Sequence, residues 1–239
     1  MLYLVSDIHG ELRDFKMLLK KIRFDREKDN MIIMGDIFDR GSDGIKLLEF
    51  IAPFLLNQSM ELLLGNHELF AIMFMKGTLD EKMWTRFGGG DTLKEIKKMS
   101  TDNQKSLLAF LESLPYYSEI SSRTFGNIIV THTGIDCDNY VMNDDGTICV
   151  KKSIEKAVQC NLYNFMIGAD LHQIPESDKK KLDEYLIVGH VPCNRLNEDM
   201  SYNFYRTDYY MCIDAGAGHK RQGGRLGCYC VTTDEEVYL

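Results

Sequence analysis

Leu2-Tyr3-Leu4-Val5-Ser6-Asp7-Ile8-His9-Gly10 sets a plan that Met31-Ile32-Ile33-Met34-Gly35-Asp36-Ile37-Phe38-Asp39-Arg40-Gly41 repeats: a short apolar run, then a turn of glycine, acid and basic residues. Leu62-Leu63-Leu64-Gly65-Asn66-His67-Glu68 repeats it a third time. Between the first two, Leu12, Phe15, Leu18, Leu19 and Ile22 recur at helical spacing. Between the second and third, Ile45, Leu47, Leu48 and Ile51 do the same, and the helix they predict should stop near Pro53. Apolar strands separated by helices of this length pair in parallel through right-handed crossovers. Strands that are apolar throughout suit a sheet covered on both faces. In such sheets ligands bind beyond the carboxyl ends of the strands, so the three polar turns should meet at one edge.

Further along, Leu69 to Met75, Leu93 to Met99 and Gln104 to Leu114 predict helices. Ile128 to Thr131, Leu186 to Val188, Met211 to Ile213 and Leu226 to Thr232 predict strands, so the last third should be mostly strand. With four prolines, no linker-like tract and no internal repeat, residues 1–239 read as a single α/β domain. Its expected core is a β-sandwich of mixed sheets flanked by helices. A chain of 239 residues that is 44% hydrophobic can bury such a core.

Charge and cysteine usage narrow the function. Acidic residues number 36 and basic residues 28, for a net charge of −8, which argues against a nucleic-acid partner. Lys179, Lys180 and Lys181 form the densest basic run and read as a solvated helix face. No stretch reaches the ~18 apolar residues of a membrane span. The start shows no basic segment leading into a long apolar one. Seven cysteines without a Cys-x-x-Cys pair suit free thiols, and the expected location is the cytoplasm. Cys228 and Cys230 should share one face of a strand as buried thiols.

The polar turns carry metal-binding chemistry. Asp7 and His9 are two apart and would point the same way from extended backbone. Asp36 has two oxygens with which to bridge two cations, and Asn66 adds a neutral oxygen. His132 follows Ile128-Ile129-Val130, and His190 follows Leu186-Ile187-Val188-Gly189. Mixed carboxylate and imidazole donors suit Mn, Fe or Zn better than Mg or Ca. Two such ions stabilise both the attacking and the leaving oxygen of an in-line displacement.

Asp-x-His-Gly, Gly-Asp-x-x-Asp-Arg-Gly, Gly-Asn-His-Glu and two isolated histidines, in that order from Asp7 to His190, resemble the metallophosphoesterases of the protein serine/threonine phosphatase type. Ile213-Asp214-x-Gly216 with Gly223-Gly224-Arg225-Leu226, and Trp84 followed by Gly88-Gly89-Gly90 and Thr92, resemble bacterial and phage members. These include the symmetrical diadenosine tetraphosphatases. The resemblance implies that Asp7, His9 and Asp36 hold one metal, with Asp36 bridging to a second held by Asn66, His132 and His190. It implies that Arg40, Asn66 and His67 bind the phosphate. His67 would be the general acid, kept protonated by Asp39, while a metal-bridging hydroxide attacks phosphorus directly. Pro192 stands where many other calcineurin-like enzymes, nucleases among them, have a further histidine, which favours the phosphatase branch.

Two departures from the family pattern are visible. Ser6 replaces the usual glycine before the first Asp, and no Arg occurs from Thr133 to Gly189, where the family commonly has a second phosphate-binding one. Lys151, Lys152, Arg195, Arg221 and Arg225 are the candidates to replace it. The loop Gly218-His219-Lys220-Arg221 either borders the substrate or is an ordinary turn. Trp84 is expected in the core, and His172 is expected to be structural. The leading expectation is a phosphatase of phosphoserine and phosphothreonine proteins and small aryl phosphates. The alternatives are a hydrolase of diadenosine tetraphosphate or a related dinucleotide, and a non-catalytic binding module on the same fold.

Overall fold

The computed structural model describes residues 1–168 and 170–239. The first three apolar runs become β1 (Leu2–Val5), β2 (Asn30–Ile33) and β3 (Met60–Leu62), joined by α1 (Leu12–Lys21) and α2 (Gly44–Leu56). β1 pairs with β2 and β2 with β3, both in parallel. Helices α3 (Asn66–Met75), α4 (Glu81–Arg86), α5 (Gly90–Lys98) and α6 (Thr101–Glu112) follow. Then come β4 (Tyr117–Ser122), β5 (Gly126–Thr131), α7 (Val150–Ile167), α8 (Glu176–Lys179) and β6 (Tyr185–Val188). β7 (Tyr205–Arg206), β8 (Tyr210–Cys212), β9 (Gly227–Cys230) and β10 (Glu235–Tyr238) complete the order.

The strands form two five-stranded mixed sheets, ordered β10-β9-β1-β2-β3 and β4-β5-β6-β8-β7. In the first, β9 and β10 are antiparallel; in the second, β5, β6 and β8 are parallel and the edge strands β4 and β7 antiparallel. Alternation along each strand sorts the core. Leu4, Ile32 and Tyr229 of one sheet join Ile128, Val130, Ile187 and Met211 of the other in a shared cluster, the layer between the sheets. Their neighbours Tyr3, Val5 and Ile33, and Ile129, Leu186 and Val188, point the other way into a cluster with the helices. Phe15 and Leu18 of α1, Ile45 and Ile51 of α2, and Val150, Ile154 and Ala157 of α7 belong to it.

Several expectations change. Pro53 lies inside α2, and the helix runs on to Leu56. A proline in a last turn removes one internal hydrogen bond, and the Pro53 carbonyl still accepts from Asn57. The last third is not mostly strand, because α7 crosses it. Val150, Ile154, Ala157, Val158, Leu162 and Phe165 supply its apolar stripe, and a break at Asn161 divides it. The Asn161 side chain accepts the Asn164 N–H and so caps the second piece. β4, with Glu119 and three serines, is a polar edge strand that no apolar run announces. Lys179 is buried rather than solvated: its amine pairs with Glu176 at 2.8 Å and lies over the Tyr210 ring. Cys228 and Cys230 do share one face of β9 and are buried free thiols.

Among the described residues no helix is long and apolar enough to cross a membrane. The close passage of β2 and β3 depends on Gly65, where an added Cβ would overlap the backbone nitrogen and Oδ1 of Asp36. Gly65→Ala should therefore cost roughly 1–3 kcal/mol through forced displacement of the neighbouring turn. A urea midpoint equal to that of the unaltered chain would show that this turn has room to spare.

Candidate metal centre

Each polar turn sits beyond the carboxyl end of a parallel strand. Asp7 and His9 follow β1, Asp36, Asp39 and Arg40 follow β2, and Asn66 and His67 open α3 just after β3. From the second sheet, His132 follows β5, His190 follows β6 and Asp214 follows β8. The two sheets thus bring six strand ends to one place. The side chains of Asp7 and His9 converge, but not from the extended backbone that their spacing suggested. Both are left-handed, with φ of 54° and 50°. The cause is a local interlock: the N–H groups of His9 and Gly10 donate to the carbonyls of Asp36 and Ile37 at 2.9 and 2.8 Å.

The six expected ligands come together. His9 Nε2 lies 3.8 Å from both Asp7 Oδ1 and Asp36 Oδ2. His132 Nε2 is 3.4 Å from Asp36 Oδ1 and 2.9 Å from Asn66 Oδ1. His190 Nδ1 is 2.8 Å from the same Asn66 oxygen. Two groups of donors could each hold an ion, His9 with Asp36 and His67, and Asp36 with His132 and His190. Asp36 is common to both. His67, expected as the general acid and a phosphate-binding residue, also turns its Nε2 into the first group, 3.9 Å from Asp36 Oδ2.

The donors are prepared for cations. His9 Nδ1–H donates to the Phe38 carbonyl at 2.9 Å and His132 Nδ1–H to the Met34 carbonyl at 2.8 Å, which frees each Nε2 as a lone-pair donor. His9 Nε2 is buried with no hydrogen-bond partner among the described residues. Burial pushes the pKa of His9, His132 and His190 down, that of His190 to about 3 with help from His132, so these imidazoles are neutral and can ligate. Burial, then the Asp7 and Glu68 carboxylates, push Asp36 up. Asp214 is raised by burial and by Asp7, and its Oδ2 has no hydrogen-bond partner among the described residues. Crowded, buried acids beside neutral imidazoles are the arrangement that a cation relieves.

Around the ligands lies a second set of contacts. Asp39 Oδ2 accepts from His67 Nδ1–H and from Trp84 Nε1–H, both at 2.7 Å. Trp84 is fully buried, as expected, but it also braces this carboxylate. Thr92 Oγ1 accepts the Asp39 N–H at 3.1 Å. Burial raises Asp39 to about 6. Burial, then Arg40 and His132, hold the His67 imidazole well below its ordinary value. Ser6 takes the space left by Gly189 and donates its hydroxyl to Asp7 Oδ2.

Glu68 closes the Gly65-Asn66-His67 turn. It is fully buried, with Oε2 accepting from the N–H of Asp36 and Gly65 at 2.7 and 3.0 Å, and Oε1 from Ile37 and Phe38 at 3.0 and 3.3 Å. An acid at the third position of a helix that opens on Gly-Asn-His is the signal that could have found it.

The basic candidates separate. Lys151 is tied to Glu119 at 2.6 Å, and Arg225 to Asn203 and the Tyr238 ring. The loop at 218–221 borders the site: His219 Nε2 is 3.0 Å from Arg40 Nη1, and Lys220 is held by Glu11 and Asp14. Arg195 lines a cleft with His219, and Arg86, not among the candidates, lines another with Arg40 and His67. Among the described residues, His172 meets the Tyr210 hydroxyl and ring, with Lys179 nearby, which fits a structural role.

A profile of the calcineurin-like phosphoesterases matches residues 2–212. The chain belongs to that family. Relatives include a protein named symmetrical bis(5'-nucleosyl)-tetraphosphatase of Nitrosospira multiformis, 30% identical over 134 residues, which is 56% of this chain and 43% of that protein. Another of the same name, from Buchnera aphidicola, is 38% identical over 81 residues, covering 34% of this chain and 29% of the other. The match thus spans less than half of either relative. Among solved structures, a protein serine/threonine phosphatase of Saccharomyces cerevisiae superposes with a TM-score of 0.58 at 18% identity, over 95% of this chain and 71% of that one. A cold-active protein-tyrosine phosphatase of a Shewanella species also gives 0.58, at 17% identity over 100% and 80%. Likeness at this identity establishes the fold.

Glu68→Gln should destabilise the site's frame by roughly 2–5 kcal/mol, because an amide NH2 would face two backbone N–H groups that now have an acceptor. Thermal unfolding and metal content measured together check it; unaltered values for both would remove Glu68 from the frame.

Proposed function

We propose that this chain is a two-metal phosphohydrolase whose substrates are phosphoanhydrides of the dinucleoside polyphosphate kind. The observation that carries the reading is Asp36, a carboxylate shared by two buried donor groups. Residues 1–239 are read as one such domain. Asp7, His9 and Asp36 would hold one ion, and Asp36, Asn66, His132 and His190 the other. The mixed imidazole and oxygen donors favour Mn, Fe or Zn. Bound there, two ions would polarise the phosphate and lower the pKa of an attacking water.

The protein's own groups do the rest. Arg40 offers a planar fork to two phosphate oxygens, and its contact with His219 holds that fork over the ligands. Asn66 and His67 reach the same oxygens from the start of α3, where helix N–H groups favour negative charge. Asp39 and Trp84 fix the His67 ring so that Nε2 faces the cleft. An anionic ester beside that nitrogen favours its protonated form and so offsets burial. His67 can then pass the Nε2 proton to the leaving oxygen.

The choice of substrate reverses the order expected from sequence. The named relatives with the longest matched stretches support a dinucleotide over a phosphoprotein. The protein phosphatase remains the second reading because of His67 and Asp39, since an alkoxide leaving group gains more from a proton donor than a nucleotide does. A complete donor set weighs against a non-catalytic module.

Diadenosine tetraphosphate and a phosphothreonine peptide, assayed side by side with Mn, should differ by at least tenfold in kcat/KM in favour of the dinucleotide. The reverse order would promote the second reading. Chelation should abolish both activities. His67→Asn, with metals still bound, should lower kcat by about 10²–10⁴-fold on an alkyl phosphate and less on the dinucleotide. An equal loss on both would remove His67 as the proton donor.

A further inference from the structure

Two clefts meet at the reaction centre's edge and share His219 as a wall. The first, about 400 Å³, has Arg40, Asn66, His67 and His190 at its floor, with Arg86 and Phe87 on one side and Tyr163 and Ile167 on the other. The second, about 630 Å³, is lined by Arg195, Met200, Tyr202 and Gln222. His219 lines both, and it is the residue in contact with Arg40. His219 therefore stands between the recess that holds the reaction centre and a second recess beyond it.

The two recesses have the same chemical contents. Each presents an exposed guanidinium, Arg86 in one and Arg195 in the other, and neither makes a side-chain hydrogen bond or ion pair among the described residues. Elsewhere Arg206 is clamped by Asp234 and Arg225 by Asn203. Each recess also presents aromatic surface. Phe87 stacks on Phe70 with centroids 4.9 Å apart and planes 17° apart, and Phe70 meets the His67 ring edge-on at 5.4 Å, so a line of rings leads outward from the centre. Phe87 nonetheless stays 41% exposed and Ile167 39%. In the other recess, Tyr202 packs over Gly216, where a Cβ would overlap its ring.

We propose that Arg86 and Arg195 clamp the phosphates on either side of the one that reacts, and that Phe87 with Tyr163, and Tyr202, receive a planar base at each end. The inference rests on the phosphohydrolase reading above. A phosphate monoester fills the floor and leaves both recesses empty. A polyphosphate with an aromatic group at each end fills all of it, because guanidinium pairs with phosphate and aromatic faces stack on bases. A two-ended substrate is thus selected by binding outside the metal centre.

The test uses hydrolysis of p-nitrophenyl phosphate by the metal-loaded protein, with diadenosine tetraphosphate and inorganic tripolyphosphate as competitors whose Ki values are compared. Arg86→Ala and Arg195→Ala should each raise both Ki values fivefold or more, and the lysine variants should recover part of the loss. Phe87→Ala and Tyr202→Ala should each raise the dinucleotide Ki fivefold or more and the tripolyphosphate Ki less than twofold. Arginine variants without effect, or aromatic variants that shift both competitors equally, would overturn the proposal. The substrate reading fails separately: if the dinucleotide competes with this pattern yet is not cleaved, the clefts stand and the reaction does not.

Discussion

One buried carboxylate ties together the turns from which the centre is built. Glu68 reaches back from α3 and accepts four backbone N–H groups, one before its own helix and three along the turn after β2. Those three belong to Asp36, Ile37 and Phe38, which together present the shared ligand and the carbonyls that anchor His9 and Gly10. Gly65 makes the approach possible by having no Cβ. Without that carboxylate, the donors would be buried and unsatisfied in the most crowded part of the molecule.

The frame also stores strain where the chemistry is. Among the described residues, six of the ten non-glycine residues with positive φ are Asp7, His9, Asp36, Asp39, Arg40 and His190. Each such residue costs on the order of 1–3 kcal/mol when the surroundings impose it. Burial adds electrostatic cost by drawing Asp36 and Asp214 up and the histidines down. The fold keeps a site that is unfavourable for the empty chain, and the cations it is shaped for would recover part of that cost.

The fold was legible where apolar period and turn chemistry agreed. β1, β2, β3 and the strand before His132 could be read from short apolar runs that end in a polar turn, and α1 from the helical spacing of Leu12, Phe15, Leu18, Leu19 and Ile22. β4 could not, because an edge strand need not be apolar on either face. α7 carried a readable stripe, and its break at Asn161 splits that stripe into two short pieces. The six donors were legible because each follows an apolar run. Their supports were not: Trp84 and Thr92 reach Asp39 from residues 45 and 53 further along the chain, and no local pattern reports such contacts. Arg86 escaped for the opposite reason, as an exposed arginine in a short helix carries no period at all.

The strand order of the first sheet has a consequence for how the chain is made. β1 lies between β2 and β9, so one of its two partners comes from the opposite end of the sequence. At roughly 5–20 residues per second, a ribosome needs on the order of 10–45 s to travel from Val5 to Cys228. During that interval the parallel β1-β2-β3 unit has a bare, apolar edge, open to any extended segment nearby. A nascent chain paused late in translation would therefore be a natural client for a chaperone that shields strand edges.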